Sequence, residues 1–474
     1  MTVKAIITVR SFNLVVPLAS QNPAGATDMR TTDTAGQMNL FDRAASGAVS
    51  ALIDAGDDLR RGDVDSTNGH STAATAIMRG PSTSATAIRT TTTRTTSLPF
   101  VSSADQSAAC PTDLLLKLTR GYIDCRKHKR TKPTARAFEM NQEALIVDLC
   151  ERLKEGAYRP GASVCFVITR PKPREVWAAP FADRVVHHTL YNHIAERFHR
   201  SFITDTCACI PGRGTMYAAR RLEHHVRSVT RNWQRPAFYL KCDLANFFVS
   251  IDKPILRELL AKRIHEPWWM ALTEQILFHD PRTNVVMQSR PKMMAKVPAH
   301  KSLLNQDGDT GLPIGNLPSQ FFANVLLDVL DQFVKHRLRC RHYIRYVDDF
   351  ILLHESPQWL NNAKAEIEAL LAERLKLRLN PTKTILQPID RGIDFVGQVI
   401  KPWHTTIRRR TFNGALHRLA AIDSDELFET ANSYFGLTRQ ATHGHHDRAL
   451  IANILRGRRH TVNAQLTKTY RRGS

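Results

Sequence analysis

The sequence has no stretch of about 18 consecutive apolar residues, the length a membrane-crossing helix needs, so no transmembrane segment is expected. Its eight cysteines (positions 110, 125, 150, 165, 207, 209, 242 and 340) form no CxxC pair and no CxxC…HxxxH spacing. That argues against the usual structural zinc motifs and fits reduced, mostly buried thiols in a cytoplasmic protein. A signal peptide is not expected either. Arg10 and Asn13 interrupt the early apolar runs, and no cleavage-site pattern follows. Glutamate is missing from residues 1–105, where nine Asp offset nine Lys and Arg. The same region is rich in Thr, Ala, Ser and Gly, with a low-complexity run from Arg89 to Thr96. Such a composition buries too little apolar surface to offset its ordering entropy. Residues 1–105 are therefore expected to be a mostly disordered extension, apart from a short amphipathic helix allowed by the spacing of Leu40 to Leu59.

What the chain has in excess is positive charge: +22 net with a pI near 10.0, all of the surplus lying after residue 105. A surplus of that size points to a polyanionic partner, nucleic acid above all. At 474 residues the chain can bury a large core and form two or three domains. Regular patterning starts near Asp113. Helices are expected over 113–126, 138–155 (with Gly156 at its C-terminal end), 183–200, 253–278, 319–337 and 357–375, and from Arg408 a largely helical basic region. Strands are expected at 163–169, 237–243, 385–386 and 395–400, with a long polar loop at 279–310 and a turn at Gly311–Asn316. His187 and His188 are adjacent on a helix and so point to different faces, which favours packing or RNA contact over metal ligation.

The most informative stretch is Tyr343–Leu353, in which two β-prone runs flank Asp348 and Asp349 as strand, turn and strand. Neighbouring carboxylates repel, and a hard divalent cation is the natural compensation. Asp243, at the end of an earlier expected strand, would complete a trio of acids if the two strands are sheet neighbours. Nucleotidyl transfer uses two divalent cations roughly 3.5–4 Å apart, held by carboxylates from separate segments. Taken singly, the Asp pair is a solvated turn and Asp243 a strand-terminal or capping residue. The surrounding residues decide between the readings.

Asp243-Leu-Ala-Asn-Phe247-Phe248 resembles the first catalytic motif of reverse transcriptases, and Tyr346-Val347-Asp348-Asp349 resembles the second. Between them, Gly311-Leu-Pro-Ile314-Gly315-Asn316-Leu-Pro-Ser319-Gln320 resembles the template and nucleotide motif of that family. Asn380-Pro-Thr-Lys383-Thr resembles the lysine motif that follows, and Phe395-Val-Gly397-Gln398 the primer grip. Upstream, Pro171-Lys172-Pro-Arg174 and Phe181-Ala-Asp-Arg184 resemble fingers elements of the group II intron-like branch. Order and spacing agree over residues 113–460. Ile314 stands where most of these enzymes carry Gln, and Ile314 to Gln320 resembles the enzymes of diversity-generating retroelements, as does Val185-Val186-His187-His188. Those enzymes copy a template RNA into cDNA with frequent errors opposite adenines. Replacing an amide by an aliphatic side chain removes a hydrogen-bonded geometric check, which lowers discrimination.

The resemblance implies an α+β right-hand polymerase. The extension is 1–105, the fingers 106–236, the palm 237–405 with a four-stranded antiparallel sheet, and the basic helical thumb and tail 406–474. It implies RNA-directed DNA polymerisation with two Mg²⁺ (or Mn²⁺) held by the catalytic Asp243, Asp348 and Asp349. Implied nucleotide contacts are Lys172, Arg174, Phe248, Ile314, Gln320 and Lys383. Implied primer and template contacts are Arg184, Arg213, Gly315, Asn316, Ser319, Tyr346, Phe395 and Gly397. Within these sets, Phe248 would be a steric gate against a ribose 2′-hydroxyl, with a core aromatic as its plainer reading. Lys172 and Arg174 would offset triphosphate charge or contact the template strand. Lys383 would neutralise or protonate the leaving pyrophosphate, or be an ordinary exposed turn lysine. The thumb would grip the duplex in a salt-sensitive way. Expected partners are template RNA, a cDNA or DNA primer, dNTPs and a small basic accessory protein, with no membrane. Alternatives are a group II intron or antiphage-defence reverse transcriptase, an RNA-dependent RNA polymerase, or a non-catalytic RNA-binding scaffold with the same fold.

Overall fold

The structure is a computed structural model that describes residues 110–127, 129–169 and 172–470. The expected N-terminal extension and its Leu40–Leu59 helix lie outside the described residues, as do Arg170 and Pro171. The first part of the described chain runs α1 (Leu114–Arg126), α2 (Pro133–Met140), α3 (Gln142–Lys154), β1 (Ser163–Ile168), β2 (Arg174–Ala178), α4 (Phe181–His199), β3 (Thr206–Cys207) and α5 (Thr215–Val229). The single helix expected over 138–155 is the end of α2 plus α3, because Asn141 leaves the helical region at φ −127°. Gly156, at φ 68°, does close α3 in the left-handed conformation that glycine takes without steric cost. β2 was hidden in the sequence by its flanking prolines and cations. It pairs antiparallel with β1 over Val164↔Ala178 to Ile168↔Arg174.

The central part runs β4 (Phe238–Asp243), α6 (Lys253–Ala261), α7 (Pro267–Phe278), β5 (Val285–Met287), α8 (Pro291–Met294), α9 (Leu317–Gln332), β6 (His342–Tyr346), β7 (Asp349–His354), α10 (Pro357–Leu370) and β8 (Ile385–Pro388). The helix expected over 253–278 is two, since Pro267 opens α7 at a position where its missing N–H is no loss. The expected loop 279–310 contributes β5, which adds parallel to β1 and completes a three-stranded sheet in the order β2-β1-β5.

The main sheet has the order β3-β6-β7-β4-β8. Four of its strands are antiparallel, as expected, and the two-residue β3 adds a parallel edge beside β6. Alternation along the strands gives it two buried faces. Leu240, Cys242, Tyr343, Phe350 and Leu352 join the core with α6, α9 and α10. Tyr239, Ile344, Tyr346, Ile351 and Leu353 pack with α5 and with Ile393, Phe395 and Ile400. Those last residues belong to a small sheet of β9 (Ile393–Phe395), β10 (Gln398–Lys401) and β11 (His404–Ile407). The one strand expected at 395–400 is thus a hairpin, turning at Val396 and Gly397, both at positive φ (44° and 88°) as a tight two-residue connection requires. The chain ends in α11 (Arg409–Ala421), α12 (Ser424–Thr438) and α13 (His445–Gly457), which enclose their own apolar core around Leu419, Leu427, Phe435, Ile451 and Leu455.

Candidate active site

β4 and β7 are neighbours, and their register sets Asp243 directly opposite Asp349. Asp348 lies in the two-residue connection from β6 to β7, between the paired Tyr346 and Asp349. Three carboxylates from two segments therefore meet at one end of the sheet. The connection opens with Val347 at φ 56°, where a β-branched residue is held against its preference.

The local charge is finely divided. Lys383 donates to both carboxylate oxygens of Asp243, at 2.6 Å each. The Asn380 amide reaches Asp243 Oδ1 at 3.3 Å, and its backbone N–H reaches the Asp243 carbonyl at 2.8 Å. Lys241, two residues before Asp243 and so on the same face of β4, pairs with Asp349 Oδ2 at 3.0 Å and donates to the Asp394 carbonyl at 2.7 Å. Burial, reinforced by the Asp243 charge, pushes the Asp348 carboxyl up to about 6. Burial also pushes Asp349 up to about 6, with Lys241 opposing and the other two aspartates adding. Lys172 is depressed by Lys383 first, then by burial and by Lys301 and Arg174. A knot of cations thus faces the acidic trio.

Among the described residues, no three His, Cys, Asp or Glu side chains are gathered as a ready-made ion cage. The donor set still fits hard divalent cations: three carboxylates, two of them pushed towards protonation by burial, and a buried Asp349 Oδ1 with no hydrogen-bond partner among the described residues. Such an ion would take over the compensation that Lys383 now gives Asp243.

The other expected site residues divide into groups. Lys172, Arg174 and Lys383 are exposed beside the trio. Phe248 is half-buried in the turn of 3₁₀ helix after β4, edge-on to Phe247 at 5.3 Å. The Gly311–Asn316 turn ties β2 to the segment that follows β4. Gly311 and Leu312 donate to the Ile251 and Phe248 carbonyls at 2.8 Å each, while the Ile314 carbonyl accepts from Trp177 N at 2.7 Å. Gly315 is exposed, but Asn316 and Ser319 are buried, the former accepting from Ala179 N at 3.2 Å. Gln320 accepts from the Cys209 thiol at 3.4 Å. Arg184 and Arg213 donate to main-chain carbonyls, at Ala179 and Ile203 respectively, both at 2.7 Å. Tyr346 and Phe395 are buried against each other, ring centroids 6.4 Å apart, and within the 395–398 hairpin Val396 and Gly397 are half-buried while Gln398 is buried.

Two sets of residues escaped the sequence reading. Lys241 could have been found, since strand alternation places it beside Asp243. The second set is a buried polar cluster, Thr206, Asn324, Asp331, Tyr343 and Arg345, behind the aspartate turn. Its signal was Asn324 and Asp331, seven residues apart and so on one face of the largely apolar α9.

Residues 171–400 match the family model described as reverse transcriptase (RNA-dependent DNA polymerase). That interval runs from β2 through β10 and holds all three aspartates. Among curated proteins, Protein YkfC of Escherichia coli strain K12 is 22% identical over 341 residues, covering 63% of this chain and 81% of its own. Among solved structures, telomerase from Candida albicans in complex with a fragment of telomeric RNA aligns over 63% of this chain and 55% of that one, at 11% identity and a TM-score of 0.40. Apo telomerase from Candida tropicalis aligns over 52% of this chain and 55% of that one, at 13% identity and a TM-score of 0.38. This chain thus spans little more than half the length of either telomerase chain. On the family match, the chain carries a reverse transcriptase domain, the domain of RNA-directed DNA polymerases, which are nucleotidyltransferases.

Proposed function

We propose that this chain synthesises DNA on an RNA template, with Asp243, Asp348 and Asp349 holding divalent magnesium. The observation that carries the reading is the pairing of Asp243 with Asp349 beside the Asp348 turn, with Lys172, Arg174 and Lys383 facing them. The bound cations would lower the cost of deprotonating the primer hydroxyl and balance the triphosphate charge. The chain's own part is to bring the acids together, to present cations to the phosphates, and to place Phe248 next to the sugar of the incoming nucleotide. Residues 106–236 serve as fingers, 237–405 as palm and 406–474 as thumb. Ile314 and the sequence through Gln320 favour the error-prone retroelement branch, in which a small basic accessory protein and a dedicated template RNA are the partners.

The test is primer extension on a synthetic RNA template with Mg²⁺, with the product sequenced. We expect DNA synthesis by the wild type, errors concentrated at template adenines, and a loss of at least about 10³-fold in Asp348→Ala, since carboxylates that hold catalytic ions act as a unit. Accurate synthesis would keep the polymerase and move it to the intron or defence branches. Preference for rNTPs would replace the reading with an RNA polymerase. Equal activity in wild type and Asp348→Ala would remove the aspartates from the chemistry.

A further inference from the structure

The buried cluster behind the aspartate turn is built around Arg345 of β6. Its side chain and that of Asp331 on α9 are both wholly inaccessible, 0% exposed. Arg345 Nε and Nη2 donate to Asp331 Oδ1 and Oδ2 at 2.8 and 2.7 Å, a two-pronged fork. Asp331 also accepts from the Tyr343 hydroxyl at 2.7 Å and the Thr206 hydroxyl at 2.6 Å, so its four acceptor sites are filled. Arg345 Nη1 then has two acceptors. One is Asn324 Oδ1 at 3.0 Å, whose amide is itself anchored on the Ala208 carbonyl at 2.9 Å. The other is the Val347 carbonyl at 2.9 Å.

That last bond gives the cluster a purpose. Val347 immediately precedes Asp348 and occupies the left-handed region at φ 56°, which a β-branched residue adopts only when its surroundings hold it there. Arg345 lies with Tyr343 on the α9 side of the sheet, whereas Asp243 and Asp349 face the other way. It therefore braces the turn from behind and touches none of the groups that would meet substrate. Surface turns rarely justify a buried ion pair, whose desolvation cost an apolar pair would avoid.

We infer that Arg345, oriented by Asp331 and Asn324, is a positioning residue that fixes the Val347–Asp348 turn and thereby sets Asp348 for divalent-cation binding. The inference rests on the polymerase reading only for its catalytic consequence; the effect on ion binding stands separately. It also makes α9 a rigid link, since the helix that carries Asn324 and Asp331 begins in the Gly311–Gln320 segment.

Two variants probe it in the full-length chain. Arg345→Lys keeps the charge, but one ammonium cannot fork onto Asp331 and also hold Asn324 and Val347. Arg345→Met combined with Asp331→Leu removes both charges, so no lone buried ion is left to unfold the protein. Circular dichroism and thermal melting establish that each is folded. Mn²⁺ binding is then followed by electron paramagnetic resonance, with Asp348→Ala defining the ions bound at the aspartates, and primer extension is measured against Mg²⁺ concentration. The expected result is Mn²⁺ affinity weakened about tenfold or more in both folded variants. The Mg²⁺ requirement should rise and kcat fall, while KM for dNTP and template affinity stay near wild type. Folded variants that titrate Mn²⁺ like the wild type would overturn the inference. If the wild type fails to extend a primer yet shows Asp348-dependent Mn²⁺ binding, the polymerase reading falls and the ion titration still decides this one. If no Asp348-dependent binding exists, the positioning role falls as well.

Discussion

At the scale of single residues, the acidic trio is a place where the folded state holds charge at a cost. Asp348 and Asp349 each titrate near 6 because burial and the neighbouring aspartates disfavour their charged forms. Groups that interact so closely titrate as a set, and the sign is common to both. A carboxyl raised in the fold binds its proton more tightly than in the unfolded chain. Stability therefore falls as pH rises from about 4 to about 6 and stays at its lower level above that. Asn in place of Asp348 cannot ionise. Asp348→Asn should thus melt like the wild type near pH 4 and be more stable at pH 8, by about 1–3 kcal/mol, in the absence of divalent ions. Mg²⁺ should reverse the order by stabilising the wild type alone. Thermal melts at the two pH values, with and without Mg²⁺, check this; a variant that is the weaker at pH 8 without Mg²⁺ would contradict the assignment. The residues that matter here were unequally legible. The three aspartates could be picked out only through their neighbours, Leu244 to Phe248 and Tyr346-Val347, since each carboxylate taken singly reads as a turn or capping residue. Arg345 could not, since a cation in a strand-forming run reads as an exposed residue until the helix that covers it is known.

At the scale of elements, the turn from Gly311 to Asn316 is the joint between β2 and the segment that follows β4, and its glycines are held to that geometry. Gly315 sits at φ 122°, and a Cβ there would come within 2.9 Å of Val176 Cγ1 and 3.0 Å of the Trp177 carbonyl. Gly397 is also at positive φ (88°), but an added Cβ would meet nothing within 4 Å. Backbone strain is common to both positions, whereas a clash exists only at the first. Gly315→Ala should cost about 2–4 kcal/mol and Gly397→Ala about 1 kcal/mol, read as the shift in urea midpoint. Equal shifts would mean that the turn is not wedged against β2. The same joint shows where patterning alone fell short. The β6–β7 hairpin, β4 and α9 were readable because long apolar alternation or helical periodicity dominates them. β2 is masked by Lys172 and Pro173 before it, whereas β3 and β5 are only two and three residues long and owe their pairing to strands more than a hundred residues away. The breaks at Asn141 and Pro267 divide helices whose apolar period continues across them, so periodicity merged what backbone conformation separates.

At the scale of the whole molecule, the surplus of +22 falls on the part of the chain that follows residue 105, and the last three helices carry a share of it in an unusual place. α11 opens with Arg408, Arg409 and Arg410 and has no acidic residue in its first turn. The helix dipole already makes that end positive, so three cations there are unfavourable unless anions are near. Arg408 has one, donating through Nε to Asp394 Oδ1 at 2.8 Å and so tying α11 to the β9–β10 hairpin. Arg409 and Arg410 are exposed. In a thumb that holds a template–primer duplex, phosphates would supply the missing negative charge, and each neutralised phosphate releases counterions. Arg409→Ala with Arg410→Ala should therefore lower the slope of log affinity against log salt by about 1–2. The turnover rate at saturating template should stay unchanged, because neither residue reaches the aspartates. Filter binding or anisotropy over a range of salt concentrations measures the slope. An unchanged slope would place both arginines outside the nucleic-acid interface and leave the repulsion at the start of α11 without its compensating partner.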